Sequence, residues 1–514
     1  MDPLSLMASG VGLIYASAVI VQVLWRMVKD VAKRKNVAKT FFIGMLATSF
    51  FLITAASIEY IFWYKPVSVT PGGLFKGLLA VDGFSLSIGF AVIASSLIIS
   101  LFVVAKMDFT KTESGMFLSV FLVLVASALS VTLSSNFIVL IVFWETCVGA
   151  ALGLLAYNMN RESGEALMKM ALISIMSGLS LIVGVGLLYV SIASAVDKPL
   201  NIYSLNFDVT STLISGVTPP LISILLLSFA FIIASIGMEI GLAPFHMWLP
   251  DVYTGSHVPA LSTMVLTLEM SGAYVIARII GIYGSVPLKV SSLSIPVIIL
   301  LVFAAFSVIV GELSALVQRR LRRIIGYSAV ADAGYILLLA LHFLIEGVSP
   351  VGEWSSYALP ITFFIIASNI SLASSVALIG IVEEKGLRTL DDIRGIVRES
   401  PILGGLLTVS LLSLFGTPPL AGFIAKFFVV TALFSCLRTV TNGIIIFIAT
   451  LVTLLFAVSS AYGLRIIQYC CVMSSKSTKR YEAKESIFAL MPVAILVSVL
   501  LLLGVAPFLL TAFF

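Results

Sequence analysis

Charge is what this chain has least of. Only 11% of its 514 residues are Asp, Glu, Lys or Arg, against about 25% in a typical soluble protein. A surface that faces water cannot be covered with so few charges. Intrinsic disorder, which needs low hydrophobicity and high net charge, is excluded as well. Cysteine is also scarce. The four cysteines, Cys147, Cys436, Cys470 and Cys471, lack the spacing of a zinc site, a CxxC redox pair or an iron–sulfur ligand set. A disulfide-rich secreted scaffold is therefore also excluded. The three histidines, His246, His257 and His342, are too few and too scattered for a haem pair. No phosphate-binding GxxxxGK[ST] loop and no dinucleotide fingerprint after a strand is present. The chain is thus expected to carry no cofactor, to do no redox chemistry itself and to bind no nucleic acid.

What it has in abundance is hydrocarbon. Hydrophobic residues make up 60% of the chain and the mean hydropathy is +1.16. The apolar runs are continuous and 20 residues or longer, which fits helices rather than the ~10-residue alternating strands of a membrane barrel. Fourteen spans are predicted, over 6–25, 41–64, 81–105, 115–134, 136–157, 166–192, 218–243, 258–284, 290–313, 325–345, 358–382, 401–435, 441–465 and 487–512. The first is too long before its basic loop, and lacks the small-residue cleavage pattern, to be a signal peptide. The expected fold class is an all-α polytopic membrane protein embedded in a lipid bilayer.

Charge placement tests this count. The loops after helices 1, 3, 5, 9, 11 and 13 hold 22 of the 30 Lys and Arg residues, with the densest runs at Lys33–Lys35, Arg319–Arg323 and Lys476–Lys484. The opposite loops hold five: Lys65, Lys76, Lys198, Lys289 and Arg438. Lys169, Arg278 and Lys426 fall inside spans or at their ends. By the positive-inside rule, the split puts both termini on the outer face of a multi-pass cell-membrane protein.

Two spans contain helix breakers. Gly241 and Pro244 interrupt the seventh; Gly416, Pro418, Pro419 and Gly422 interrupt the twelfth. Proline removes a backbone donor, and lipid cannot satisfy the carbonyl it frees. Such breaks are therefore enclosed by protein or line a wet cavity. They lie five helices apart, so two five-helix units are predicted, the second inverted because five is odd. Inverted repeats with discontinuous helices are a transporter architecture; kinks in a purely structural bundle are the alternative. The resulting division is 1–114 (three helices), 115–284 (first repeat, helices 4–8), 285–466 (second repeat, helices 9–13) and 467–514 (basic loop and helix 14).

Ionisable groups at bilayer depth cost roughly 2.5–3.5 kcal/mol on insertion scales and mark ion paths or pairs. The candidates are Glu145, Lys169, Glu239, Glu269, Glu312, Asp332 and Lys426. Several have a plainer reading. Lys169 stands four residues after Glu165 and can form an end-of-helix pair. Glu312 can snorkel towards the basic run at 319–323. Glu239 and Glu269, on consecutive helices, can face each other, share a proton or bind Na⁺. His246, just past the first break, can relay protons or cap freed carbonyls. Lys426 is followed by an apolar run, so its partner must come from another helix.

Six stretches carry a resemblance: VDGFSL (81–86), IVFWET (141–146), EALMKMALISIMSG (165–178), EIGLAPFHMWLPDVYTGSHVP (239–259), LRRIIGYSAVADAGY (321–335) and GTPPLAGFIAKFF (416–428). With them the chain resembles the antiporter-like membrane subunits of respiratory complex I, shared with multisubunit cation/proton antiporters and membrane-bound hydrogenases. VYTGSHVP and Lys426 favour the chain N branch. The resemblance implies fourteen helices, two inverted five-helix repeats and broken helices 7 and 12. It matches Glu145, Lys169 and Lys426 to the family's helix-5 glutamate, helix-6 lysine and helix-12 lysine. It also exposes departures. Glu239 and Glu269 stand where the family has lysines, Asp332 where it usually has a histidine, and Glu312 where an asparagine is often found.

The expected function is translocation of H⁺ or Na⁺ as one subunit of a complex I-like or hydrogenase-like assembly, an oxidoreductase complex whose redox chemistry lies in other chains. Further antiporter-like membrane subunits and a peripheral iron–sulfur arm are the expected partners. The path would run from Glu145 and Lys169 along Glu239, Glu269 and Asp332 to Lys426, with His246 as a relay. A secondary cation/proton antiporter without a redox partner is the alternative.

Overall fold

The computed structural model describes residues 2–28, 31–64, 77–157, 159–193, 200–214, 216–217, 221–283, 295–346, 358–439, 443–473 and 487–513. Lys29, Lys65, Lys76, Lys198, Lys289, Lys476, Lys479, Arg480 and Lys484, part of the predicted charge split, lie outside them.

The chain is all-helical. The helices are α1 (Pro3–Met27), α2 (Val31–Glu59), α3 (Gly83–Lys106), α4 (Ser114–Leu133), α5 (Phe137–Leu155), α6 (Arg161–Ala193), α7 (Phe207–Ile214), α8 (Ile222–Glu239), α9 (Trp248–Gly255), α10 (Val258–Met264), α11 (Met270–Tyr283), α12 (Ile295–Val317), α13 (Leu321–Glu346), α14 (Ala358–Glu383), α15 (Ile396–Glu399), α16 (Pro401–Leu414), α17 (Ala421–Thr439), α18 (Gly443–Ile467) and α19 (Ile487–Val505). A five-residue π turn, Val265–Glu269, joins α10 to α11 into one continuous span. Among the described residues fourteen helical segments are long and apolar enough to cross a bilayer, in agreement with the count expected from hydropathy. The protein is a multi-pass membrane protein.

Burial is not shared evenly. The apolar windows of α10–α11 and of α13 are 94% buried, and that of α14 is 100% buried within the protein. These helices form the axis, and α6, α12, α18 and α19 turn apolar faces such as Leu172, Phe306, Phe447 and Phe488 outwards. Charge at the axis is therefore surrounded by protein rather than by lipid. At one end of that axis, Asp82 caps α3 through a reciprocal capping box with Ser85. Its other carboxylate oxygen meets Arg278 of α11 at 2.5 Å, tying the three-helix segment to the body.

Two helices end at glycine- and proline-rich stretches. α8 stops at Glu239. Gly241 takes the left-handed conformation at φ 73°, and Leu242 N–H donates to Gly237 O at 2.7 Å. This is the six-to-one bond of a Schellman ending. Two further groups satisfy the freed backbone. Trp248 Nε1 donates to Met238 O at 2.9 Å, and Ser307 of α12 accepts from Ala243 N–H at 3.1 Å. α16 stops in the same manner. Gly416 has φ 72°, Thr417 N–H donates to Leu412 O at 2.9 Å, and Ser460 Oγ donates to Gly416 O at 3.0 Å. The segment read as one helix over 401–435 is thus two helices, α16 and α17. Capping of the first break falls to Trp248 and Ser307, two side chains that periodicity does not single out.

A methyl group at Gly416 would meet Phe456 at 2.7 Å and the Lys426 side chain at 3.1 Å, besides occupying a left-handed conformation. Gly416→Ala is expected to destabilise the protein by about 1–3 kcal/mol. Gly405→Ala, whose added carbon meets nothing within 4 Å, is expected to be neutral or to stabilise by up to ~1 kcal/mol. Thermal melting of the two variants in detergent checks this ordering.

Candidate functional site

At α6 the helix is longer than a membrane needs. Its 33 residues span about 50 Å, against a hydrocarbon core of about 30 Å. Its first turns therefore stand clear, and Lys169 is 43% exposed there. Lys169 Nζ pairs with both Glu165 Oε1 and Asp251 Oδ2 at 2.7 Å. Asp251, on α9 just past the first break, also faces Arg323 of α13 at 3.7 Å. The end-of-helix pairing with Glu165 is thus present, and Lys169 does not join Glu145. It belongs to a network at the end of the bundle where basic residues gather. Arg322–Glu383 and Lys106–Glu384 are further ion pairs there, both at 2.5 Å.

Glu145 lies deeper, two turns into α5. Its carboxylate rests on Gly178 of α6, where a Cβ would approach Oε1 to 2.9 Å. Glycine at 178 is what lets the carboxylate lie between the two helices. Glu145 is close enough to act electrostatically on Glu239, the last residue of α8, which is buried. Ser174 Oγ of α6 donates to Glu239 Oε2 at 3.2 Å. One helical turn along, Ser177 donates to Ser235 O at 2.9 Å.

Glu239 and Glu269 are not held as a facing pair. Glu269 sits at the end of the π turn, and its partner is Tyr253 of α9, whose hydroxyl lies 3.0 and 2.9 Å from the two carboxylate oxygens. The charged group acting on Glu269 is Asp332 of α13. Asp332 Oδ2 accepts from Ser368 of α14 at 2.7 Å. His246 occupies a short 3-10 turn after the first break, with its ring 6.4 Å from that of Tyr327.

The second break brings together the most completely enclosed charges. Lys426 of α17 is 2% exposed and Glu312 of α12 is 0% exposed. Lys426 Nζ donates to Glu312 Oε1 at 3.0 Å and to Ser459 Oγ at 2.8 Å. It also stands 5.1 Å from the centre of the Tyr335 ring. Glu312 further accepts from Tyr335 at 3.1 Å and from Tyr462 at 2.7 Å. The partner of Lys426 does come from another helix. Glu312 does not snorkel. Glu312 stands five residues before the end of α12 at Val317, about 8 Å of helix and beyond a glutamate's reach. Lys426 and Glu312 both act electrostatically on Asp332. The titratable groups thus fall into three neighbouring sets: Glu145 with Glu239, Glu269 with Tyr253 and Asp332, and Glu312 with Lys426.

Removing one partner of an enclosed pair leaves the other charge uncompensated, at about 3–5 kcal/mol. Glu312→Gln alone is expected to destabilise the protein on that scale. The double change with Lys426→Met is expected to recover most of the loss. Melting temperatures of the two single variants and the double variant provide the cycle, and simple additivity would contradict the pairing.

Known proteins resemble this chain along nearly its whole length. A family model described as NADH:quinone oxidoreductase/Mrp antiporter, transmembrane, matches residues 134–455. NADH-quinone oxidoreductase subunit N of Chlorobium chlorochromatii is 27% identical over 432 residues, covering 82% of this chain and 78% of that one. The fold superimposes with TM-score 0.80 on a chain of the membrane-bound sulfane sulfur reductase, an archaeal respiratory membrane complex, at 22% identity, covering 99% of this chain and 96% of that one. It superimposes with TM-score 0.79 on a chain of the Mrp complex from Dietzia at 18% identity, with the same coverage.

Proposed function

We propose that this chain, which belongs to the NADH:quinone oxidoreductase/Mrp antiporter transmembrane family, is a cation- or proton-translocating antiporter-like subunit of a multisubunit membrane complex. The carrying observation is the enclosed Glu312–Lys426 pair and its coupling to Asp332. A purely structural subunit has no use for enclosed charges that apolar side chains of similar volume can replace with neutral or better stability.

In this reading Glu145 and Glu239 form the first station, Glu269, Tyr253 and Asp332 the second, and Glu312 and Lys426 the third. A change of charge at one alters the proton or ion affinity of the next. Lys169 acts through Asp251 at the basic end, and His246 beside Tyr327 is a side relay. Two five-helix repeats over 115–284 and 285–466, the second inverted, are supported by the matching hydrogen bonds that end α8 and α16. The three-helix segment 1–114 and the terminal segment 467–514 flank them. Both termini face outwards. The ion pairs Lys106–Glu384 and Arg322–Glu383 support a single basic face, since Lys106 and Arg322 are both counted on that side.

The partners are further antiporter-like subunits and an iron–sulfur redox arm. The sequence likeness to subunit N of NADH-quinone oxidoreductase favours the driven assembly. The comparably good superposition on the Mrp complex keeps a secondary cation/proton antiporter as the second reading. Subunit masses and low-temperature EPR of the mildly extracted complex separate them, because only the driven assembly carries stoichiometric iron–sulfur chains.

Glu145→Gln and Lys426→Met are expected to abolish coupled ion flux in membrane vesicles in which assembly has been verified by subunit masses. Unchanged flux in both variants would leave the chain a structural subunit.

A further inference from the structure

We infer that two adjoining grooves at the basic end of α1, α4 and α5 seat one anionic, two-chain phospholipid. Its phosphate lies between Arg26 and Lys111, and one hydrocarbon chain enters each groove. The site is separate from the titratable stations and independent of the transport function.

The first groove, of about 570 Å³, runs along α1 from Arg26 to Tyr15 and is lined by Val19 and Val23 of α1 and Val123 of α4. The stretch from Tyr15 to Arg26 covers about 16 Å of helix, the depth of one leaflet in a hydrocarbon core of about 30 Å. The second groove, of about 640 Å³, lies between α4 and α5 and is lined by Lys111, Met116, Tyr157 and Met159. Gly153 and Ala156 of α5 line it too, and their small size leaves the room. Val120 of α4 lines both grooves, so a forked molecule can straddle it. The Trp25 ring brings the two cations to one place. It stands where a Cβ on Gly115 would be, and lies 6.3 Å from the Phe109 ring. Arg26 follows Trp25 in sequence, and Lys111 falls between Phe109 and Gly115.

Charge names the headgroup. Lys39 and Lys35 stand 4.2 and 6.0 Å from the centre of the Phe109 ring, beside Arg26 and Lys111. Asp108, which acts electrostatically with Lys111 and Lys35, and Glu113, which lines the second groove, oppose them. The cations exceed the acids, which favours an anionic headgroup over a zwitterionic one. A guanidinium also matches the geometry of a phosphate. Gln22, one turn deeper than Arg26, lines the first groove, and its side-chain oxygen is buried without a hydrogen-bond partner among the described residues. Leaving such an acceptor unpaired is unfavourable. Hydrocarbon and an ionised phosphate have no hydrogen to donate to it, whereas a headgroup hydroxyl has. Phosphatidylglycerol combines the negative charge with such hydroxyls and is therefore the probe of choice.

The test uses the assembled complex in phosphatidylcholine vesicles with a trace of phosphatidylglycerol carrying a photoactivatable diazirine in mid-chain. Adducts are mapped by mass spectrometry. The reference is the face of α6, where Leu172 and Leu179 are 59% and 62% exposed and meet ordinary boundary lipid. Adducts in both grooves, at Val23 or Val123 and at Met116 or Met159, are expected to exceed those at Leu172 and Leu179 about tenfold. A phosphatidylcholine probe with the same chain is expected to show no such excess. Arg26→Gln and Lys111→Gln are each expected to lower the excess about fivefold while the melting temperature stays unchanged. Equal labelling of the grooves and of α6 overturns the inference, as do equal excesses for the two probes. Adducts in neither groove, the result if another subunit covers them, overturn it as well. The readout needs no ion flux, so its failure leaves the transport function standing.

Discussion

The enclosure of the axis by protein governs everything else in this molecule. α14 is enclosed over its whole apolar window, and α10–α11 and α13 nearly so. A charge or an unpaired backbone group placed there has only protein to answer it. Glu312 and Lys426 show what a full answer requires: one ion pair, three hydroxyls and an aromatic face around two charged atoms. The helix breaks show the same requirement for the backbone. Each end closes on a left-handed glycine and an extra hydrogen bond across it, and side chains from elsewhere take up what remains.

The two breaks also place chemistry at matching positions. Asp251 and Lys426 each follow the left-handed glycine of their own break by ten residues. One is an acid paired with a lysine at an exposed helix end. The other is a lysine paired with an acid in the dry centre. Position in the fold therefore specifies that an ion pair stands here, while the surroundings decide how strongly its charges are felt. Near solvent a pair is screened and contributes up to about 1 kcal/mol. In the enclosed centre its rupture is costly, and a change of charge there acts on its neighbours at greater range.

Much of this was legible in the residues themselves. Span number follows from continuous hydrocarbon, and the breaks follow from Gly241, Pro244, Gly416 and the Pro418–Pro419 pair, because the chemistry is local to a few neighbouring residues. Apart from the local Lys169–Glu165 pair, the identities of the partners were not legible. Helical spacing alone offers Glu269 to Glu239, whereas its hydroxyl partner is Tyr253 of α9. Lys169 reads as an end-of-helix partner of Glu165, and its second partner, Asp251 of α9, comes from outside that helix. The tyrosines that hold Glu312 are aromatic residues on apolar helices, which a sequence presents as core. Their hydroxyls acquire a role only when α12, α13 and α18 are brought together.

Carboxylates in place of the lysines that the family resemblance implies, along the proposed transport axis, have a consequence beyond the sign of charge. An ammonium is a donor that carries its own positive charge on a tether; a carboxylate is an acceptor that must borrow one. An axis of lysines can therefore be filled by the protein alone, whereas Glu239, Glu269 and Asp332 need mobile positive charge to stay in the dry interior. Among the described residues, Glu312 is the one of Glu239, Glu269, Asp332 and Glu312 that forms an ion pair with a lysine, Lys426. In the proposed path, that station is balanced within the protein by an ion pair, while the other stations depend on what moves between them. The carboxylates thus keep the chain's electrostatic balance tied to the ion it handles, and the enclosed lysine supplies a fixed charge against which each arriving ion is felt.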